Sequence, residues 1–304
     1  MNFILYFYRI IFFMKTVFIT GASAGIGAKT AELFLCRGWK VYAGARRIDK
    51  MRNLAEKGAV TMRLDLADEK SMQQATAAVM SAEKKLDVLV NNAGFGAHGM
   101  FEDVPLELAR QEFEVNVFGL ARMCQLILPG MRANRSGRII NMSSIAGRTA
   151  MPTGSWYHAS KHAVEAITEC LRMETGQFGI KVSMIEPGPV GGTEWDDTAL
   201  VNLKKYSLHG PYSAMTARII NKFRGSYRKR ALKPETVAET IYRAATEANP
   251  PLRYPLPFKT SLSLAARRLV PDCIQDFVYR ILFNPTAEEI AAAETEAKTE
   301  KDRI

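Results

Sequence analysis

The chain contains 304 residues, of which 47% are hydrophobic and 24% are charged. This composition is typical of a folded globular protein and argues against an intrinsically disordered chain. The length suits one large α/β domain or two small ones, and we favour one. The four cysteines are scattered singly, without a Cys-x-x-Cys pair or a neighbouring histidine cluster. We therefore predict free thiols in a reducing, cytoplasmic compartment, and no metal site.

The positive charge is concentrated in one part of the chain. The formal net charge is +10, and residues 201–260 alone contain 12 Lys and Arg against 3 Asp and Glu. No helix-turn-helix, zinc-binding or RNA-binding motif accompanies this stretch, so we predict no nucleic-acid partner. Two interpretations stay open: a solvated helix face, or a surface where aromatic side chains and cations meet a membrane or an anionic ligand. The residues in question are Phe223, Arg224, Tyr227, Arg228, Lys229 and Arg230.

Residues 1–13 are apolar and aromatic apart from Asn2 and Arg9. The segment is shorter than the ~20 residues that a membrane-spanning helix needs. It passes directly into a strand, without the small-residue cleavage site of a signal peptide. We predict an extension that has no role in the fold, and an anchor at a membrane interface is the alternative.

A strand, a glycine-rich turn and a helix follow this extension. Residues 17–19 form a short apolar run, TGASAGIG occupies residues 20–27, and a helical pattern ends near residues 37–38. Missing side chains let a pyrophosphate approach the backbone at a helix N-terminus, where free N–H groups favour negative charge. We expect the turn to bind the phosphates of a dinucleotide, and a merely structural turn is the alternative. The candidate residues are Gly21, Ser23, Gly25, Ile26 and Gly27.

The second predicted strand bears on the choice of cofactor. Residues 40–44 lead to Arg46 and Arg47. In dinucleotide-binding folds an acidic residue at this strand end accepts the ribose 2′-hydroxyl, whereas an arginine accommodates a 2′-phosphate. The sequence therefore predicts NADP(H) in preference to NAD(H).

Two further predicted strands end in residues that suit a bound nucleotide. Residues 60–64 precede Asp65 and Leu66, which we expect to meet the adenine. Residues 88–90 precede side-chain amides and a glycine, which let the backbone approach a ligand. The candidates there are Asn92, Ala93 and Gly94.

The second half of the pattern continues the alternation of helix and strand. A long helix is predicted over residues 105–131, a strand over 138–142, a helix to about residue 176 and a strand over 180–185. Asn116 is a polar residue within the apolar stretch of the long helix. Such a residue is either a satisfied core amide or one that breaks the helical regularity and binds water near a site.

Tyr157 and Lys161 are the candidates for proton transfer. Their spacing places both side chains on one face of a helix, one turn apart. Free phenol titrates near ~10, and a cation within a few ångströms favours phenolate, typically by roughly 1 to 3 pH units. Ser144 follows the predicted strand, where its hydroxyl can hold a substrate oxygen. A Tyr-x-x-x-Lys pair alone also occurs on surface helices, so the other motifs decide between the two interpretations.

The repeated alternation predicts an α/β fold: a doubly wound parallel sheet of the Rossmann type with helices on both faces. Ligands of such sheets bind outside the carboxyl ends of the strands, where all these motifs fall. We predict one NADP-binding domain over residues 14–250, with a substrate lid at about 190–233. A short helical extension and tail would occupy residues 251–304.

Taken in order, these motifs resemble the short-chain dehydrogenase/reductase family over about residues 15–250. The resemblance implies that Tyr157 is the general acid-base and that Lys161 lowers its pKa and holds the nicotinamide ribose. It implies that Ser144 orients the substrate oxygen and that Asn116 anchors a water leading to Lys161. Further cofactor contacts are implied at Pro187, Gly188, Val190 and Thr193.

Two departures from the family pattern affect these expectations. In PGPVGGTEW the usual threonine is displaced, which weakens Thr193 as a partner of the nicotinamide amide. The tail beyond about residue 250 resembles the branch that handles steroid, retinoid or similar lipophilic alcohols. Homodimerisation through the helices near Asn116 and Tyr157 is expected from the family alone.

The sequence thus predicts an NADP(H)-dependent oxidoreductase that interconverts a secondary alcohol and a ketone on a hydrophobic substrate. The same chemistry on a small carbonyl, a sugar or an acyl thioester is one alternative. A nucleotide-binding scaffold without turnover is the other, although such a protein does not need the proton-transfer residues.

Overall fold

The computed structural model describes residues 14–223, 225, 231–258 and 269–292, and leaves out the side chains of residues 195–197. The predicted extension over residues 1–13 lies outside the described residues. So do Arg224, Tyr227, Arg228, Lys229 and Arg230.

Seven parallel strands form one sheet. They are β1 (Thr16–Thr20), β2 (Lys40–Ala45), β3 (Val60–Arg63), β4 (Val88–Asn91), β5 (Gly137–Met142), β6 (Ile180–Pro187) and β7 (Arg253–Leu256). Their order is β3-β2-β1-β4-β5-β6-β7, and every neighbouring pair is parallel. The strand order reverses between β1 and β4, which is the switch point where ligands of doubly wound sheets bind.

Helices cover both faces of this sheet. The described α-helices are α1 (Gly25–Cys36), α2 (Arg52–Glu56), α3 (Glu69–Ala82), α4 (Leu106–Phe113), α5 (Leu120–Ala133), α6 (Ser155–Thr175), α7 (Glu194–Ser207), α8 (Ser213–Lys222), α9 (Pro234–Thr246) and α10 (Asp272–Phe283). Helices α1 and α9 share one core with the sheet, and α3, α5 and α6 share the other. The predicted Rossmann architecture is therefore confirmed. Within the described residues, no helix combines the length and apolar character needed to cross a bilayer.

The central strand β1 shows why these segments form a buried parallel sheet. All five of its residues are buried. Val17 and Ile19 point into the core beneath α1, and Phe18 between them points into the opposite core. A strand covered on both faces has no polar side to present, so its sequence is a continuous apolar run.

The helix predicted over residues 105–131 is interrupted. A π-helical segment, Glu114–Gly119, separates α4 from α5. Asn116 lies in this segment, where its Nδ2 donates to the Phe95 carbonyl (2.8 Å) and its Oδ1 accepts from the Phe95 N–H (3.0 Å). The side chain that breaks the helical regularity thus binds the loop after β4, and π-bulges of this kind often mark functional sites.

Strand β7 was not predicted. Its sequence RYPL is short and contains a proline, which cannot donate a hydrogen bond in a ladder. The structure tolerates Pro255 because β7 is the edge strand beside β6. The sheet therefore takes its last strand from beyond residue 250.

Helices α7 and α8 lie within the segment predicted as the lid. Leu203 of α7 and Ile219 and Ile220 of α8 form a small apolar cluster with Met100, away from the two main cores. Phe283 at the end of α10 packs on this cluster. Helices α7 and α8 therefore have apolar contacts of their own.

Candidate active site

A cavity of about 540 Å³ opens at the carboxyl ends of the strands. Most of the residues singled out in the sequence line it: Gly21, Ser23, Gly25, Ile26, Arg46, Arg47, Asp65, Leu66, Asn92, Ala93, Gly94, Ser144, Tyr157, Lys161, Pro187, Gly188, Val190 and Thr193. Gly27 and Asn116 are absent from the lining. Segments that lie far apart in the chain thus converge on one site.

The glycine-rich turn has the shape of a phosphate cradle. Gly21 and Gly25 have φ angles of +70° and +54°, which favour glycine. A Cβ on Gly21 would lie 2.7 Å from the Ala93 Cα, and one on Gly27 would lie 2.3 Å from the Gly21 carbonyl oxygen. Helix α1 begins at Gly25 without a side-chain cap, so its first N–H groups remain available to an anion.

Asn92 and Thr20 brace this turn from the neighbouring strands. The Asn92 Nδ2 donates to the carbonyls of Thr20 (3.0 Å) and Gly21 (3.2 Å). The Thr20 Oγ1 in turn accepts from the N–H groups of Asn92 (3.0 Å) and Ala93 (3.1 Å). Sequence reasoning missed Thr20, whose side chain holds β1 and β4 together at the switch point.

Beyond β2, two cations share one carboxylate. Arg47 Nη2 lies 2.5 Å from one Glu194 oxygen, and Lys50 Nζ lies 2.5 Å from the other. Arg46 is exposed and also lines the cavity. The sequence predicted the two arginines at this position but missed Lys50 and Glu194.

The first residues of the segment predicted as the lid lie beside the glycine-rich turn. A Cβ on Gly25 would lie 3.3 Å from the Thr193 Cγ2, and the Thr193 hydroxyl points back to the Val190 carbonyl (3.4 Å). Thr193 therefore lies beside the turn in spite of its displaced position in the sequence. Its contact with a nicotinamide amide stays a prediction.

Ser144, Tyr157 and Lys161 meet at the inner end of the cavity. The Ser144 Oγ accepts from the Ala146 N–H (3.1 Å) and donates to the Pro187 carbonyl (3.2 Å). The Lys161 Nζ donates to the Met142 carbonyl (2.8 Å) and lies 5.7 Å from the centroid of the Tyr157 ring. All three residues line the same cavity, and their catalytic roles stay predictions.

The pKa values of Tyr157 and Lys161 are dominated by burial. Burial raises the pKa of Tyr157 well above its ordinary value, and a hydrogen bond with Ser144 opposes this. The lowering of the Tyr157 pKa by Lys161 stays a prediction: the Lys161 Nζ donates to the Met142 carbonyl and lies 5.7 Å from the centroid of the Tyr157 ring. Burial lowers the pKa of Lys161 to about 8, against the opposing charges of Glu112 and Glu165.

Two histidines that sequence reasoning missed flank Tyr157. The His98 ring lies 5.7 Å from the Tyr157 ring, and burial lowers the pKa of His98 to about 4. The His158 Nδ1 lies 3.0 Å from the Ala146 carbonyl. A histidine with such a pKa stays neutral at physiological pH, so His98 gives this wall an uncharged polar surface.

A buried charge cluster lies beneath the strand ends that carry Ser144 and Pro187. Glu186 is fully buried, and its carboxylate lies 3.0 Å from the Arg253 Nε and 3.5 Å from an Arg148 nitrogen. Arg253 also lies 3.1 Å from Glu165 on α6. The cluster joins β6, β7 and the helix that carries Tyr157, which fixes their relative positions.

Comparison with known proteins gives the same family as the sequence motifs. The sequence model of the family described as "short chain dehydrogenase" matches residues 15–201. The "Probable short-chain type dehydrogenase/reductase VdlC" of Helicobacter pylori is 34% identical over 87% of this chain and 96% of that protein. The 3-ketodihydrosphingosine reductase of Bacteroides thetaiotaomicron is 32% identical over 88% and 98%. The NADPH-dependent 3-dehydrocapnine reductase of Ornithobacterium rhinotracheale is 32% identical over 88% and 96%.

Solved structures agree with these relatives. A short-chain dehydrogenase from Streptomyces avermitilis has a TM-score of 0.73 and 29% identity, over 87% of this chain and 94% of that one. Serine dehydrogenase complexed with NADP+ has a TM-score of 0.70 and 27% identity, over 79% and 94%. A short-chain dehydrogenase/reductase from Burkholderia phymatum in complex with NAD has a TM-score of 0.72 and 25% identity, over 90% and 96%. The chain therefore belongs to the short-chain dehydrogenase/reductase family, an oxidoreductase family whose members bind a nicotinamide cofactor.

Proposed function

We propose that the protein is an NADP(H)-dependent oxidoreductase that interconverts a secondary alcohol and a ketone on a hydrophobic substrate. The observation that carries this proposal is the convergence of Ser144, Tyr157 and Lys161 at the inner end of the cavity behind the glycine-rich turn. A hydroxyl that holds an oxygen, a phenol that moves a proton and a buried ammonium are the groups that carbonyl reduction requires.

In the direction of reduction, bound NADPH would supply the hydride to the carbonyl carbon. The Ser144 hydroxyl would turn its single proton from the Pro187 carbonyl to the substrate carbonyl oxygen and fix the position of that oxygen. Tyr157 then transfers its proton to that oxygen, and its raised pKa keeps the phenol protonated at neutral pH. The Lys161 ammonium stabilises the phenolate that remains. Alcohol oxidation uses the same groups in reverse.

The cations after β2 support NADP(H). Arg46, Arg47 and Lys50 lie at the strand end where a 2′-phosphate is recognised in this fold. The Ornithobacterium relative is named as NADPH-dependent, whereas the Burkholderia structure contains NAD, so the relatives include both cofactors. The proposed preference for NADP(H) over NAD(H) therefore rests on the cations after β2 of this chain.

The lining of the cavity and two relatives support a lipophilic substrate. Phe95, Val115, Met151 and Phe223 contribute apolar surface to the lining of this cavity. The Bacteroides and Ornithobacterium relatives are named for the reduction of 3-ketodihydrosphingosine and 3-dehydrocapnine. A ketone attached to a long apolar chain fits this surface, because burial of apolar groups is the main attraction that such a lining offers.

The test is oxidation of NADPH against a panel of carbonyl compounds. The panel contains 3-ketodihydrosphingosine, a steroid ketone, a small cyclic ketone and an acetoacetyl thioester, each also tested with NADH. We expect turnover of a lipophilic ketone with NADPH. Turnover of only the small ketone or the thioester would overturn the substrate class, and tight NADPH binding without turnover of any compound would favour the scaffold.

A further inference from the structure

Glu112 is a buried carboxylate beside the proposed catalytic groups. The residue is fully buried at the end of α4. Its Oε2 accepts from the Ala97 N–H (2.8 Å), and its Oε1 accepts from the Ser160 hydroxyl (3.1 Å) and the Asn116 Nδ2 (3.3 Å). Removing a carboxylate from water is costly unless it is paired and hydrogen-bonded, so this arrangement requires a physical reason.

The three groups that donate hydrogen bonds to the Glu112 carboxylate belong to different parts of the site. Ala97 is in the loop that carries Phe95, and Asn116 holds the same loop through both backbone groups of Phe95. Ser160 lies on α6 between Tyr157 and Lys161, and its hydroxyl also lies 2.8 Å from the Tyr157 carbonyl. Glu112 therefore links the loop after β4, the π-helical segment and the helix of the proton-transfer residues.

Glu112 is connected to Lys161 through Ser160, the residue before Lys161, and through Asn116. Burial lowers the pKa of Lys161, and the charges of Glu112 and then Glu165 raise it. Asn116 and Lys161 meet beside Gly94, where an added Cβ would lie 2.9 Å from the Asn116 Oδ1 and 3.7 Å from the Lys161 Nζ. Burial also raises the pKa of Glu112 itself to about 7, so the carboxyl is ionised in mildly basic solution.

We propose that Glu112 is a positioning residue of the site: through Ala97, Asn116 and Ser160 it anchors the catalytic helix to the loop after β4, and it is the buried counter-charge of the Lys161 ammonium. Its effect on turnover rests on the proposed function. Its effect on Lys161 does not, because that can be measured without substrate or cofactor.

The experiment compares Glu112→Gln with Glu114→Gln. Glu114 lies two residues further on and is exposed, so the control removes the same charge from the surface. The pH dependence of Lys161 acetylation by acetic anhydride, followed by peptide mass spectrometry, reports the protonation of its amine. In Glu112→Gln we expect the labelling midpoint to fall by about one pH unit, the lower end of the effect of a neighbouring charge. In Glu114→Gln it stays at the wild-type value, and an unchanged midpoint in Glu112→Gln overturns the proposal.

Turnover provides the second measurement. With an accepted ketone, kcat of Glu112→Gln should fall by about 10-fold, the lower end expected for one lost hydrogen bond to a charged group. The dissociation constant of NADPH should change less than kcat. Equal kcat in the two variants overturns the positioning role. Absence of ketone turnover in the wild type would contradict the proposed function, while the labelling result still decides the role of Glu112.

Glu112→Asp is a second variant, which keeps the proposal testable if Glu112→Gln does not fold. It retains the charge, and we expect its Lys161 midpoint to stay close to that of the wild type. If Glu112→Gln does not fold, carboxyl ¹³C NMR of the glutamate-labelled wild type replaces it, with Glu112→Asp for assignment. A Glu112 carboxyl that is still protonated at the pH where Lys161 loses its proton overturns the proposal.

Discussion

Replacement of Glu194 by glutamine should raise the affinity for NADPH more than that for NADH. In the structure the Glu194 carboxylate lies 2.5 Å from both the Arg47 Nη2 and the Lys50 Nζ. These cations belong to the site that we propose for a 2′-phosphate, where the carboxylate and the phosphate would compete for them. Glu194→Gln removes the competing charge and leaves the shape of the side chain nearly unchanged.

The expected change in NADPH affinity follows from the solvent exposure of the two ion pairs that Glu194 makes. The side chains of Arg47, Lys50 and Glu194 are 47%, 41% and 49% exposed. Exposed ion pairs contribute about 0 to 1 kcal/mol each. Release of both pairs should therefore change the free energy of NADPH binding by about 1 kcal/mol, which is roughly a fivefold change in Kd.

Calorimetric titration with NADPH, NADH, 2′,5′-ADP and 5′-AMP measures this effect. Glu239→Gln is the control, because Glu239 is an exposed carboxylate paired with Arg37. We expect a lower Kd only for the two ligands that carry the 2′-phosphate. The difference should largely vanish at about 1 M salt, where the Debye length falls to roughly 3 Å. Equal gains for all four ligands, or no gain at low salt, would refute the competition.

Three further outcomes are expected. Arg46→Ala should reduce the preference for NADPH over NADH by roughly 10-fold to 150-fold, since a charge-assisted hydrogen bond contributes about 1.5 to 3 kcal/mol; titration of both cofactors checks this, and unchanged selectivity rules Arg46 out. Deletion of residues 1–13 should leave Tm and the reduction rate unchanged because β1 begins at Thr16, and a large loss in either would show that the segment packs on the domain. The pH profile of ketone reduction should fall above about pH 8, where Lys161 loses its proton, and a rate that stays constant up to about pH 10 would contradict this role of the ammonium.

The fold was predictable because the residue patterns that indicate its strands and helices lie within short segments of the chain. The predicted strands contain short apolar runs, and several ligand-facing residues follow a strand within a few positions, as Arg46 follows β2 and Ser144 follows β5. Strand β7 was missed since its pairing depends on β6 and on Arg253, which contacts Glu186. The interruption at Asn116 was only one of two interpretations of the sequence, because the partner of the Asn116 side chain is Phe95 in another segment.

The parts of the site that escaped prediction depend on tertiary contacts. Lys50 and Glu194 are separated by 144 positions, and no spacing rule connects them. The helical spacing placed Tyr157 and Lys161 on one face but could not show how deeply both are buried. Burial decides the direction in which both pKa values move.

The most direct test of the account is the rate of ketone-dependent NADPH oxidation by the wild type and Tyr157→Phe, with the Kd of NADPH measured for both. Phenylalanine retains the ring and removes only the hydroxyl that the proposed mechanism uses for proton transfer. The account predicts a loss in turnover of roughly 10²-fold or more, the usual scale for general acid-base catalysis, with NADPH binding nearly unchanged. A Tyr157→Phe protein that keeps most of the wild-type rate would contradict it.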